Sequence, residues 1–235
     1  MKDLFGKAIF DYHTNNTPEN IITETSISEK DEMEVAYLFR DYNQMPLIEQ
    51  KALELARGKI LDVGCGAGSH SLYLQNKGLD VTSIDISESA VATCKLRGLH
   101  KAFVKNILDF DAAATYDTIL LLMNGTGIFG TLKETKKYLT ILKSLLKPNG
   151  QIIIDSSDII YMFDKDNDGG HWIPDNHYYG ELLYTIHYKK ETEVPFSWLY
   201  LDYNTLCRAA LNCGLQAELI IEGEHYDYLA VLKLP

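Results

Sequence analysis

The 235-residue chain, 46% hydrophobic and 23% charged, has the length of one α/β domain with additions, enough to bury roughly 70 to 75% of its unfolded surface. With 22 Lys and Arg against 33 Asp and Glu, its formal charge of −11 disfavours a nucleic-acid partner, because that affinity comes mostly from neutralised phosphates. No uninterrupted apolar run reaches about 18 residues, the start Met-Lys-Asp-Leu-Phe-Gly-Lys lacks an apolar signal core, and Cys65, Cys94, Cys207 and Cys213 form no Cys-x-x-Cys pair. These features exclude a membrane span and a disulfide framework, and the expectation is a soluble, cytoplasmic protein with reduced thiols.

Residues 1 to 30 offer Tyr12, His13 and a loop from Thr14 to Glu19. From Glu29 to Arg40 the apolar residues Met33, Ala36 and Tyr37 recur at helical spacing, and a second helix begins with Pro46 at its first position. The stretch on which the chain is organised follows. Ile60 to Leu74 reads Ile-Leu-Asp-Val-Gly-Cys-Gly-Ala-Gly-Ser-His-Ser-Leu-Tyr-Leu: a buried strand, a glycine turn, and a helix that stops at Gly78. Gly64, Gly66 and Gly68 permit positive φ and let a nucleotide-like ligand lie against the backbone. A dinucleotide fingerprint would want its third glycine one residue later, at Ser69. The acid at the mouth, Asp62, would repel a diphosphate but attract an ammonium group. The stretch resembles motif I, Asp-x-Gly-x-Gly-x-Gly, of the class I S-adenosylmethionine-dependent methyltransferases, whose cofactor carries an amine and a sulfonium and no phosphate. The resemblance implies cofactor contacts at Asp62, Gly64, Cys65, Gly66 and Gly68. It also implies that residues 1–57 form an N-terminal helical lid, with Tyr37, Arg40 and Tyr42 as lid residues.

Leu79 to Ile84 is a second strand ending in Asp85, a carboxylate placed to accept hydrogen bonds from a ribose diol, with Ile86 beside it. Ser87 caps the next helix, and Gly98 lies past its end. After a third strand near Ala102 to Lys105, Asn106 stands where the family often has the Asp that accepts the adenine amino hydrogen. Asp109 competes for that role, and Ile107 would offer an apolar surface to the ring. Thr118 to Leu122 reads as a central strand buried on both faces, and it leads to Met123 and Asn124 at the expected reaction centre. No Asp-Pro-Pro-Tyr-like signature of nucleic-acid methyltransferases follows. Leu132 to Leu146 is an amphipathic helix ended by Pro148-Asn149-Gly150, and Gln151 to Asp155 is the fifth strand.

Residues 156–200 read as an aromatic cap inserted into a domain spanning 58–235. An extra strand lies near Glu181 to Lys189, with a turn at Glu191 to Pro195. Aromatic walls with a few acids suit a flat or cationic small molecule, and a packed aromatic mini-core explains the same residues. His171, His177, Asp158 and Tyr161 are the candidates for a base. Asp164, Asp166, Asp168, Gly169 and Asp175 partly match a calcium loop but read as a solvated acidic turn, so no metal is expected. A helix from Asp202 or Asn204 to Asn212 and two strands, Leu215 to Glu222 and Tyr226 to Leu234, close the chain as an antiparallel hairpin. The expected fold is α/β, Rossmann-like, with a seven-stranded mostly parallel sheet and helices on both faces. The expected function is methyl transfer from S-adenosylmethionine to an oxygen, nitrogen or sulfur of a small molecule. A non-catalytic binder of that cofactor and an NAD-dependent oxidoreductase are the alternatives.

Overall fold

The computed structural model places the apolar runs of the sequence in one sheet, and it describes residues 2–110, 115–165, 170–173 and 177–235. The first part of the chain forms α1 (Leu4–Thr14), β1 (Ile21–Thr25), β2 (Ser28–Met33), α2 (Leu47–Leu55), β3 (Lys59–Val63) and α3 (Ser69–Asn76). It continues through β4 (Asp80–Asp85), α4 (Glu88–Leu96), β5 (Ala102–Val104), β6 (Tyr116–Leu121), α5 (Leu132–Ser144) and β7 (Leu146–Ser157). The last part forms β8 (Glu181–Tyr188), β9 (Glu191–Thr192), β10 (Phe196–Leu199), α6 (Tyr203–Asn212), β11 (Gln216–Glu222) and β12 (Asp227–Lys233).

The seven-stranded sheet runs β11-β12-β7-β6-β3-β4-β5. Strands β3 to β7 are parallel, and β11 and β12 return antiparallel, as expected. Successive side chains of a strand face opposite ways, and each face is covered. Ile60, Leu120 and Ile153 pack with Ala52 and Leu53 of α2 and Leu74 of α3. Leu61, Ile119, Leu121 and Ile154 pack with Leu139 and Leu142 of α5 and Leu206 and Ala210 of α6. Each fully buried Leu or Ile contributes roughly 1.5–3 kcal/mol, which is why these strands read as unbroken apolar runs. No helix among the described residues is long and apolar enough to cross a membrane.

A second sheet, β10-β8-β1-β2 with β9 beside β8, corrects the reading of the first 57 residues as helical. The predicted helix over Glu29 to Arg40 is β2 followed by a 3-10 turn at Val35–Phe39. Cross-strand pairing of Ile22 with His187 and Thr23 with Ile186 joins the first hairpin to the cap, and this tertiary pairing overrides a weak helical period. The exposed β2 carries Glu29, Lys30, Asp31 and Glu32, charges that keep an edge strand from pairing further. The cap is therefore half of a shared sheet, and Leu4 and Ala8 of α1 bury themselves on it with Ile21, Ile186 and Tyr188. Two boundaries also move: Pro148-Asn149-Gly150 lies inside β7, and the turn from Glu191 opens as a short strand.

Two polar devices fasten this unit. The buried Glu193 carboxylate accepts the backbone N–H of Lys2 at 2.8 and 2.9 Å and of Leu4 at 3.4 Å. Burial pushes Glu193 up, but these backbone donors outweigh it and hold it below the ordinary carboxylate value. At the other end of α1, Asp11 accepts Lys189 at 2.6 Å and the Tyr188 hydroxyl at 3.0 Å. The indole of Trp198 lies on Gly127 so closely that a Cβ there would fall 2.0 Å from its Cε2. Gly127→Ala should therefore lower stability by about 1–3 kcal/mol in urea unfolding, and a stability equal to wild type would show that the indole is not seated there.

Candidate functional site

Strand order reverses between β3 and β6, so the crevice at their C-terminal ends is where an open α/β sheet collects ligands. The glycine turn bounds one side. Gly64 and Gly66 adopt φ of 76° and 52°, and a Cβ built on either meets nothing within 4 Å, which leaves bare backbone facing open space. Gly68, at φ 82°, serves packing instead, because its Cβ would strike Leu99 and Cys94. Four amides of the turn are already engaged: Gly64 and Cys65 donate to the Ile84 carbonyl at 2.9 and 3.0 Å, Gly68 to the Cys65 carbonyl at 2.8 Å, and Gly66 to Asp85 at 2.9 Å. A phosphate cradle aims its amides at the ligand, so this turn suits a nucleoside without a phosphate. Cys65 is buried, 3.8 Å from the Cys94 sulfur.

Asp85 uses its second oxygen to accept Ser87 N–H at 2.9 Å, tying the turn after β4 to the turn after β3. Its pKa is raised by burial, against the two amide donors. Ile86 beside it is 56% exposed and presents an apolar surface at the crevice edge. Asp62 lies deeper than the mouth position expected of it: it is 2% exposed and accepts the Ser71 hydroxyl of α3 at 2.6 Å. After β5 the expectations shift as well. The Asn106 carbonyl caps the next turn by accepting Leu108 N–H at 2.9 Å, and Ile107 is buried in the core rather than open to a ring. Asp109 is exposed in that turn.

On the far side of the crevice, Met123 and Asn124 both have left-handed backbones, at φ 64° and 59°. Such residues cost about 1–3 kcal/mol each and persist only where the surroundings hold them. Asp155, at the end of β7, holds them: its carboxylate accepts Met123 N–H at 3.0 Å and Gly125 N–H at 2.8 Å. Asn124 accepts the Ser156 hydroxyl at 3.0 Å and donates to the Leu199 carbonyl at 3.3 Å.

A buried ionic network lies where the sequence reading placed only a lid. Glu49 of α2 receives the Arg40 guanidinium at 2.5 Å on one oxygen and His70 Nε2 of α3 at 2.7 Å on the other. Arg40 stacks on the Tyr37 ring at 3.3 Å and donates to the Tyr37 carbonyl. Its Nε is buried and finds no hydrogen-bond partner among the described residues. Burial pushes Glu49 up, but His70 and Arg40 bring it below the ordinary value. Burial opposes charging of His70, yet Glu49, with Asp62 and Asp155 nearby, raises its pKa. The signal for this network was present as a charged residue on the apolar face of α2 and a histidine directly after the glycine turn. Tyr42, by contrast, stacks on Tyr73 as packing.

The four candidate bases are scattered. Asp158, just past β7, accepts Ile160 N–H at 3.0 Å and the Tyr179 hydroxyl at 2.8 Å. Tyr161 stacks on Tyr226 at 4.7 Å, and both rings are exposed. His171 binds the Phe163 carbonyl at 3.0 Å. His177 lines a separate cavity of about 570 Å³ with Leu132, Tyr178, Asp202 and Arg208, and none of its lining residues belongs to the glycine turn. Asp166, Asp168, Gly169 and Asp175 of the acidic turn lie outside the described residues. Burial raises Asp155 to about 6 from 3.8, so the folded protein holds that proton to higher pH and the stability tied to it is lost as pH rises from 3.8 through about 6. The unfolding free energy of wild type relative to Asp155→Asn should fall by about 2 kcal/mol between pH 4 and pH 7, and a difference that is flat with pH would contradict this.

Comparison with known proteins agrees with this geometry. Residues 55–196 match the family model described as a methyltransferase domain. A SAM-dependent methyltransferase from Bacteroides fragilis, solved with S-adenosyl-L-homocysteine, is 45% identical with a TM-score of 0.92, over 99% of this chain and 95% of that one. The Ubiquinone biosynthesis O-methyltransferase of Rickettsia conorii is 27% identical over 48% of this chain and 41% of its own. The Glycine/sarcosine N-methyltransferase of Halorhodospira halochloris is 29% identical over 48% and 45%. The chain thus spans under half the length of these curated relatives. An open glycine turn without a phosphate cradle, on a sheet closed by an antiparallel pair, and the match along nearly the whole chain have one meaning: the chain belongs to the class I S-adenosylmethionine-dependent methyltransferases.

Proposed function

We propose that the chain transfers a methyl group from S-adenosylmethionine to a nitrogen, oxygen or sulfur atom of a small molecule held in the crevice. The observation that carries this reading is the bare backbone of Gly64 and Gly66 over open space, with Asp85 bound to the turn. The residues fit the cofactor. Gly64 and Gly66 would lie under it, Asp85 would meet the ribose, Ile86 would cover the base, and Arg40, with its buried unpartnered Nε, would take the carboxylate. Bound there, S-adenosylmethionine supplies a methyl group on a sulfonium, which is already an activated leaving group.

The protein's part is alignment and exclusion of water, and alignment can contribute up to roughly 7–11 kcal/mol. Met123 and Asn124, held left-handed by Asp155, would set the floor beneath the acceptor. The stacked and exposed rings of Tyr161 and Tyr226, beside Asp158 and Asp227, would bind a flat or cationic molecule, since aromatic faces attract cations. A protonated acceptor must lose its proton before it can attack, and Asp158 is the base we assign. Its position past the end of β7 supports this, while His177 lines the other cavity and His171 is tied to a carbonyl.

Calorimetric titration with S-adenosyl-L-homocysteine tests the reading, with NAD as control. Saturable binding of the first alone is expected, weakened at least about tenfold in Asp85→Ala, since charge-assisted hydrogen bonds are of that strength. Binding of NAD in its place would end the proposal. Turnover of the cofactor with a panel of small amines, phenols and acids would then identify the acceptor.

A further inference from the structure

Arg40 stands on the segment crossing the start of α3, where Leu38 carbonyl accepts the Ser69 hydroxyl at 2.7 Å, directly after the glycine turn. A long guanidinium side chain loses much rotamer freedom when fixed, so something must hold it. Three contacts do: the Tyr37 ring, the Tyr37 carbonyl and Glu49. Glu49 in turn divides its two oxygens between Arg40 and His70. The three side chains come from three separate elements. The network therefore joins the N-terminal segment to α2 and α3 beside the crevice.

We infer that Glu49 and His70 are positioning residues for Arg40, with Glu49 fixing the guanidinium and the charge on His70 setting how much of the guanidinium's positive charge is left for the cofactor carboxylate. The inference rests on the cofactor reading above. When His70 is neutral, one carboxylate faces one guanidinium and the pair carries no net charge. When His70 is protonated, the same carboxylate faces two cations and a net positive charge remains to attract an anion. The groups facing His70 are Glu49 from α2, Asp62 from β3, Asp155 from β7, and Arg40 across Glu49. Their acids favour the protonated ring, so its titration lies above the ordinary histidine value.

The sign of the effect follows. Affinity for the carboxylate-bearing ligand is highest below the His70 titration and falls as pH rises through it. By reciprocity, the bound carboxylate raises the pH at which His70 loses its proton. Neither effect extends to a ligand that keeps the thioether nucleoside but lacks the amino-acid part.

The full chain, as wild type, Glu49→Gln and His70→Gln, would be titrated calorimetrically with S-adenosyl-L-homocysteine and with 5′-methylthioadenosine from pH 5.5 to 8.5. Wild type should bind the first more weakly by about threefold to tenfold across that range. His70→Gln should stay near the weak level at every pH, and Glu49→Gln should lose about tenfold or more. All three should bind 5′-methylthioadenosine alike. An equal loss for both ligands would reduce Glu49 and His70 to scaffold and overturn the inference, as would a wild-type profile that His70→Gln reproduces, which would give the titration to Asp155. Should the variants fail to fold, proton NMR of the wild-type imidazole decides: its titration should move up with S-adenosyl-L-homocysteine and stay put with 5′-methylthioadenosine. An unmoved titration with both overturns the inference. Failure of S-adenosyl-L-homocysteine to bind wild type at any pH would remove the cofactor reading itself, and the inference with it.

Discussion

The carboxylate of Asp85 binds two backbone N–H groups from two different turns, Gly66 after β3 and Ser87 after β4. Parallel strands have no tight turn to fix their ends against one another, so the geometry of the crevice depends on cross-links of this kind. Asp155 repeats the device on the other side by gripping the loop after β6 at Met123 and Gly125. Both acids stand at the ends of strands whose bodies are apolar, and burial raises the pKa of both. These bonds tie the turns after β3 and β4 to each other, and the loop after β6 to the end of β7. The left-handed pair at Met123 and Asn124 lies in the loop that Asp155 holds, with its strain offset by the hydrogen bonds that require it.

The second sheet is assembled from two distant parts of the chain. Helix α1 and the β1–β2 hairpin precede the main domain, and β8 to β10 are inserted into it, yet they complete one sheet and one small apolar core. Glu193 and Asp11 bind opposite ends of α1 to the insertion. A unit made this way is a packed body with its own interior rather than a single helix. Tyr184, Tyr188 and Phe196 of the insertion belong to that interior, with Trp198 in contact with Tyr184 and Phe196, while Tyr161 and Tyr226 are exposed.

The main sheet was legible in the sequence because its strands are buried on both faces, and such strands appear as short apolar runs closed by Asp, Asn or Gly. Thr118 to Leu122 and Ile60 to Val63 are of this kind. Capping was legible for the same local reason, and Ser87 and Asp202 accept the N–H groups expected of them, from Ala90 and Thr205. The hairpin of β1 and β2 was not legible, since Ser28 to Met33 is charged and exposed and takes its conformation from a partner far along the chain. Asn106 shows the limit at single residues: whether its side-chain carbonyl faces a ligand or Leu108 N–H depends on a local bend no spacing reveals. Glu49 on an apolar helix face and His70 after the glycine turn were visible singly, but their meeting with Arg40 was not, because it is a property of the packing.

The shared sheet has a bearing on how the molecule is built in time. Ile22 pairs with His187, so β1 has no neighbour on that side until the ribosome has made the whole parallel core and most of the insertion. Such non-local pairing is slow to close, and synthesis proceeds at about 5–20 residues per second. Through that interval Leu4, Ala8 and Ile21 have no apolar partner from β8, and the charged strand β2 is the guard against association with other chains. Strand β8 thus reaches β1 only after all the parallel strands exist, and α6, β11 and β12 follow it to complete the main core. A nascent chain stopped before residue 180 would carry the glycine turn with β1 still unpaired on one side.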